Sequence, residues 1–185
     1  MSVSTYADFL RYCGALYAMR DVMARHSRSI GHAAMAEGVD ANLLFAVIAL
    51  EQINRAGLHR FAERVCARLC PWVLVRADCT LGLAQIRVSV AYRLVGGDLR
   101  KIPRILTDDS QNILLCARML GGYEREHDLA SVPQRERLYT IAKLHLTGRP
   151  DSEESSAVKL YARLLGYALR LRLFTSWAER RVGAG

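Results

Sequence analysis

Between Asp40 and Glu51 the chain reads "ANLLFAVIAL", ten residues without a charge, and then it places a carboxylate. Asp40 is suited to cap a helix over residues 41–54, and Gly57 is suited to end it. A surface helix keeps a polar face, whereas a helix with apolar side chains on all sides has to be enclosed by other elements. Glu51 is therefore an ionisable group at the end of a stretch built for burial. The alternative is an ordinary i,i+4 ion pair with Arg55.

The rest of the chain reads as helix almost throughout. Residues 4–26 carry Phe9, Leu10, Leu16 and Met19 at helical spacing after Ser4 or Thr5, and "SRSIGHAAMAEGV" continues in helix to a stop at Gly38. Further helices are expected over 58–70, 84–95, 99–106, 109–127, 133–146 and 153–180. "PWVLVRADCTLG", from Pro71 to Gly82, mixes β-branched residues with turn formers and is the one stretch read as strand or irregular, near 72–80. No internal repeat or long linker divides the chain. The expectation is a single, mainly α domain over residues 1–185.

Charge narrows the partners without choosing among them. The chain has 26 basic and 18 acidic residues, a net charge of +8, which favours nucleic acid, an acidic membrane surface or an acidic glycan. Five cysteines, Cys13, Cys66, Cys70, Cys79 and Cys116, make an odd set with no disulfide framework and fit a reducing compartment. Cys66 and Cys70 share a helical face but lack a second pair of ligands, so they read as small buried hydrophobes rather than a metal site. The N-terminus lacks the basic start and apolar core of a Sec signal peptide, and no apolar run reaches the roughly 18 residues of a spanning helix.

Three stretches in order carry the functional signal. The first is "VDANLLFAVIALEQ", ending in Glu51 and Gln52. The second is "CTLGLAQIRVSVA", Cys79–Ala91, in which Gly82 permits close backbone approach or a positive φ and Gln85, read as a helix-start residue, offers a donor and an acceptor. The third is "DDSQNILLCARML", a capped apolar helix with Asn112 near its start. In this order they resemble the lysozyme-like family of lytic transglycosylases, whose blocks read "LLxAIxxxES", "GLMQI" and "NIxxGxxYL". The resemblance spans about residues 38–148. Two differences stand out: Gln52 follows Glu51 where the family has Ser, and the stretch 54–78 is longer and more helical than the family's short loop.

The resemblance implies a lysozyme-like fold that cuts the MurNAc-GlcNAc β-1,4 bond of peptidoglycan, with Glu51 as the catalytic acid and no cofactor or metal. It implies that Gln85, with Thr80 and Gly82 beside it, contacts the sugar, and that His145 or Tyr139 occupies the place of the family's last-block tyrosine. Residue chemistry agrees at Glu51: a glycosidic oxygen must be protonated as it leaves, and burial keeps a carboxylic acid in its proton-donating form. A hydrolase would need a second carboxylate, for which Asp78 is the positional candidate, with a turn role as its alternative. Gln85, His145 and Tyr139 each have a purely structural alternative.

The last helix, about 153–181, is basic and amphipathic, with Lys159, Arg163, Arg170, Arg172, Arg180 and Arg181 against Glu179. Its apolar stripe is expected on the core, with docking on a membrane or partner as the alternative. Lacking an export signal, an enzyme of this kind would be made in the cytoplasm and would reach the cell wall or periplasm by a phage lysis route or a specialised secretion system, where an inhibitor protein is a further expected partner. Two other functions compete: a catalytically silent lysozyme-like module binding glycan or a protein, and a helical nucleic-acid binder supported by charge alone.

Overall fold

The apolar run folds as expected. In the computed structural model, which describes residues 3–52, 57–170, 172, 174 and 175, every residue from Asn42 to Leu50 of helix α2 (Ala41–Gln52) is buried. Side chains are described from residue 20 onward, except at 57 and 58. Gly38 ends α1 (Val3–Glu37) with φ +68°, and Asp40 accepts from Asn42 N at 2.7 Å, the cap expected for α2. The last expected turn of α2, with Arg55, lies outside the described residues.

Around α2 the remaining elements follow in chain order. They are α3 (Gly57–Leu69), α4 (Pro71–Arg76), a hairpin of β1 (Thr80–Leu81) and β2 (Ile86–Arg87), α5 (Val88–Val95) and a single 3₁₀ turn at Leu99–Lys101. Helices α6 (Ile102–Thr107), α7 (Asp109–Glu126), α8 (Gln134–Thr147) and α9 (Ser156–Arg170) complete the described chain. The result is a mainly helical single domain with nine α-helices and one two-stranded antiparallel hairpin among the described residues. Helices α1, α7 and α9 all pack on α2. No helix among the described residues is long and apolar enough to cross a membrane.

Two expectations are corrected around the hairpin. Residues 71–76 form a short helix rather than a strand, because Pro71 occupies the first turn, where its missing N–H costs nothing, and Leu74 turns into the core. The β-branched residues there oppose helix by only tenths of a kcal/mol each, on the order of what one buried leucine overrides. Residues 84–87, expected as the first turn of a helix, belong instead to the hairpin: Thr80 pairs with Arg87 and Leu81 with Ile86, and α5 begins only at Val88.

One buried amide holds that hairpin in place. Asn112, fully buried on α7, donates from Nδ2 to Leu81 O at 3.1 Å and Leu106 O at 3.0 Å, and its Oδ1 accepts from Ala84 N at 2.8 Å. Gly82 fits against it with φ +79°, and a Cβ there would lie 2.1 Å from Leu106 O and 2.3 Å from Asn112 Nδ2. Only glycine satisfies both the backbone angle and the space. Gln52 adds a second tie, donating from Nε2 to Leu83 O.

The apolar stripe of α9, Val158, Ala162, Leu165 and Ala168, is buried, and the helix packs on α8 and α2. The part of the expected basic helix beyond Arg170 lies largely outside the described residues.

Two substitutions test the anchoring of the hairpin. Asn112→Ala leaves two carbonyls and one amide without partners in a dry site, and should cost about 3–5 kcal/mol in urea denaturation. Gly82→Ala should cost on the order of 3 kcal/mol or more. A loss below about 1 kcal/mol, the range of ordinary surface changes, would contradict the packing described for either position.

Candidate active site

Glu51 emerges where α2 leaves the core, and its side chain keeps 18% of its exposure. Its Oε1 lies 2.9 Å from Nε2 of His145, whose side chain on α8 is only 4% exposed. The imidazole stacks on Tyr161 of α9, with ring centroids 5.5 Å apart and planes inclined by 28°. Helices α2, α8 and α9 therefore each supply one member of a carboxylate–imidazole–phenol group.

The surroundings of this group are dry. No hydrogen bond of normal geometry reaches the buried Tyr161 hydroxyl, nor Nδ1 of His145. Tyr161 is nevertheless held well above its usual acidity range, first by burial and then by the nearby charge of Glu51. The heavy-atom geometry makes the phenol a close electrostatic neighbour of the carboxylate rather than the donor of a formed bond. Burial likewise pushes the Cys116 thiol of α7 upward, with Glu51 as the next influence, so this cysteine stays a neutral thiol beneath the site. Burial raises Tyr123 to about 12, with smaller influences from Cys116, Arg93 and Glu126.

Glu51 and His145 open onto a cavity of about 600 Å³. One wall is the hairpin and α5, with Thr80, Gln85, Arg87, Ser89 and Arg93. The other is the end of α7 and the end of α8, with Met119, Tyr123, Glu126, Leu144 and Gly148. A volume in this range accommodates a ligand of several rings or sugar units. The polar groups are distributed over both walls, so a bound chain would be held from two sides with Glu51 facing it.

Comparison of the chain with family models, with curated proteins and with solved structures found no match. The site is therefore read from its own geometry. Of the residues singled out in the sequence, Glu51, His145, Gln85 and Thr80 meet in one cavity. Gln85 has φ +50° in the hairpin turn instead of starting a helix; its Nε2 donates to Gly82 O at 2.8 Å and its Oε1 accepts from Thr80 Oγ1 at 2.9 Å. Each group of that amide keeps one further hydrogen-bonding capacity for a ligand.

Three of the named residues are not in the cavity lining. Gly82 faces Leu106 and Asn112 and shapes the hairpin from behind. Asp78 is committed to α5: its carboxylate accepts from Ser89 N at 2.7 Å, one of the free amides of that helix start, and from Ser89 Oγ at 2.8 Å. Tyr139 lines a separate groove between α8 and α9, beneath Arg135, whose guanidinium carbon is 5.9 Å from the ring centre. It is six positions from His145 on the same helix, which turns it about 120° away from the site.

The sequence reading missed Tyr161, Glu126 and Arg93. Tyr161 belongs to no motif in the sequence, and only the crossing of α9 over α8 brings its ring to His145. Glu126, rather than Asp78, is the second carboxylate that borders the cavity with Glu51.

His145→Phe retains a ring beside Tyr161 but removes the partner of Glu51, and should cost about 1–3 kcal/mol in chemical denaturation. If the pairing is the reason, the same substitution in a Glu51→Leu background should cost measurably less. Equal costs in both backgrounds would show that His145 acts through packing alone.

Proposed function

We propose that the chain is a lysozyme-like enzyme that cuts the MurNAc-GlcNAc β-1,4 bond of peptidoglycan by lytic transglycosylation. The observation that carries this reading is Glu51 itself, set at the end of a buried helix against a buried imidazole and facing a two-walled cavity of about 600 Å³. The three sequence blocks that resemble the family supply Glu51 itself, the Gly82–Gln85 turn and Asn112, the residue that seats the turn.

In this mechanism Glu51 delivers its proton to the glycosidic oxygen as the bond to the anomeric carbon breaks. The substrate's own N-acetyl group stabilises the positive charge that develops there. The 6-hydroxyl of the same muramic acid then attacks the anomeric carbon and returns its proton to Glu51, which restores the acid. No water is consumed, and the product ends in a 1,6-anhydro sugar. His145 serves to position the carboxylate, through a bond in which either Glu51 or the imidazole holds the shared proton. Gln85 and Thr80 hold the sugar from the hairpin side, and Arg87 and Arg93 suit the carboxylates of the glycan's peptide stems.

The Glu51–His145 contact also supports a second reading. An imidazole protonated on both nitrogens would hold Glu51 as a carboxylate with no proton to give, and the cavity would then bind glycan or a protein partner without cleaving it. Mass spectrometry of purified peptidoglycan after digestion separates the outcomes. Lytic transglycosylation releases muropeptides ending in 1,6-anhydromuramic acid. Reducing ends would mean hydrolysis and would direct attention to Glu126 as the base. No release from any of several wall chemotypes would leave the silent module as the reading.

A further inference from the structure

Neither the core nor the cavity makes use of the outer face of α3 and α4, the stretch that is longer and more helical than the family's loop. Along α3, Phe61, Val65 and Leu69 recur every four residues and so form one stripe. That stripe faces outward: Phe61 is 66% and Leu69 78% exposed, and Trp72 of α4 continues it at 62%. A contiguous apolar surface of this kind marks a site of interaction.

Its polar content is of one type. From Phe61 to Arg76 the exposed residues are apolar except for Arg64, Arg68 and Arg76. The one carboxylate in that span, Glu63, is half-buried and accepts from Gly82 N. Arg64 pairs with Asp109, but Arg68 and Arg76 have no carboxylate partner among the described residues. Beside the stripe lies a cavity of about 710 Å³ to which Arg64, Arg68 and Arg104 contribute. Its two acids are already engaged: Asp109 binds Arg60 and Arg64, and Asp108 caps α7 through Gln111 N. The guanidinium of Arg104 is held toward the end of α3 by the carbonyls of Ala67 and Arg68, which orient it without neutralising it.

We propose that this face docks on an anionic phospholipid surface. Phe61, Leu69 and Trp72 enter the boundary between headgroups and acyl chains, where an indole ring is favoured. Arg68, Arg76 and Arg104 take the lipid phosphates, their aliphatic stems lying along the apolar stripe. A bilayer is the occupant that matches the surface, because it offers hydrocarbon and negative charge side by side and demands no acidic or neutral polar group in return. The net charge of +8 draws the whole molecule to such a surface. The proposal stands independently of whether Glu51 is catalytic.

Flotation of the full chain with phosphatidylcholine vesicles, with and without phosphatidylglycerol, tests it. The protein should float with the anionic vesicles and remain behind with the neutral ones. In a Trp177→Phe background, which leaves Trp72 as the remaining tryptophan, its emission should shift to the blue on binding. The pair Phe61→Ser and Leu69→Ser should abolish the shift and the flotation. The pair Arg68→Glu and Arg76→Glu should weaken partition by about tenfold or more. Circular dichroism and thermal melting should be unchanged in both pairs, since all four side chains are exposed. Equal binding to neutral vesicles, binding to neither, or undiminished binding by the serine pair would overturn the proposal. So would a dimer in sedimentation that the serine pair dissociates, which would make a second copy the occupant. Inorganic phosphate that stabilises the protein without any vesicle binding would mean a free anion site instead.

Discussion

Enclosure of α2 is the constraint from which the rest of the molecule follows. Its nine residues from Asn42 to Leu50 are all buried, and six of them are large apolar side chains. Each such side chain contributes roughly 1.5–3 kcal/mol when withdrawn from water. Gaining that stabilisation requires neighbours on every side, and α1, α7 and α9 provide them. The helix must still end, and at its end the chain carries Glu51. A carboxylate beside a dry core is costly unless it finds a partner. His145 is that partner, itself nearly withdrawn from solvent and braced by Tyr161. The site is thus a consequence of how the core closes around one helix.

Opposite that helix end, the cavity has a wall that is strained by design of its backbone. Asp78, Gly82 and Gln85 all have positive φ, at +45°, +79° and +50°. Left-handed backbone at a residue other than glycine is unfavourable and persists where surrounding contacts impose it. The contacts here are identifiable. Ser89 holds the carboxylate of Asp78, Thr80 and Gly82 hold the amide of Gln85, and Asn112 holds the turn between them. Four residues of turn are thereby fixed relative to α7, and Gln52 fixes them relative to α2. The hairpin side of the cavity is therefore held by the buried amide of Asn112 and the half-buried amide of Gln52, not by loop stiffness.

Much of this was legible in the sequence, for reasons that can be named. The uncharged run marked the central helix, Gly38 and Asp40 its approach, and Gly82 a place of close backbone approach or positive φ, both of which hold there. Asp108 capped the helix that carries Asn112, as its place before an apolar run suggested. The errors share a different cause. "PWVLVR" is a short apolar run whose state depends on whether Leu74 faces the core, which no local pattern decides. The hairpin at 80–87 is stabilised by Asn112, which is distant in sequence, so the local reading of Gln85 as a helix start had no access to the interaction that wins. The choice between His145 and Tyr139 needed the rotation of α8, and Tyr161 needed the crossing of α9. Sequence spacing gives neither.

Glu51 is the proposed proton donor, and Glu51→Gln examines that role most directly. The amide keeps the shape of the side chain and can still bond His145, so the fold and its melting should be retained. Release of glycan fragments from peptidoglycan should fall by a factor of about 10² or more, the scale of general acid catalysis. Undiminished release by a folded Glu51→Gln protein would contradict the central claim, whatever else the cavity binds.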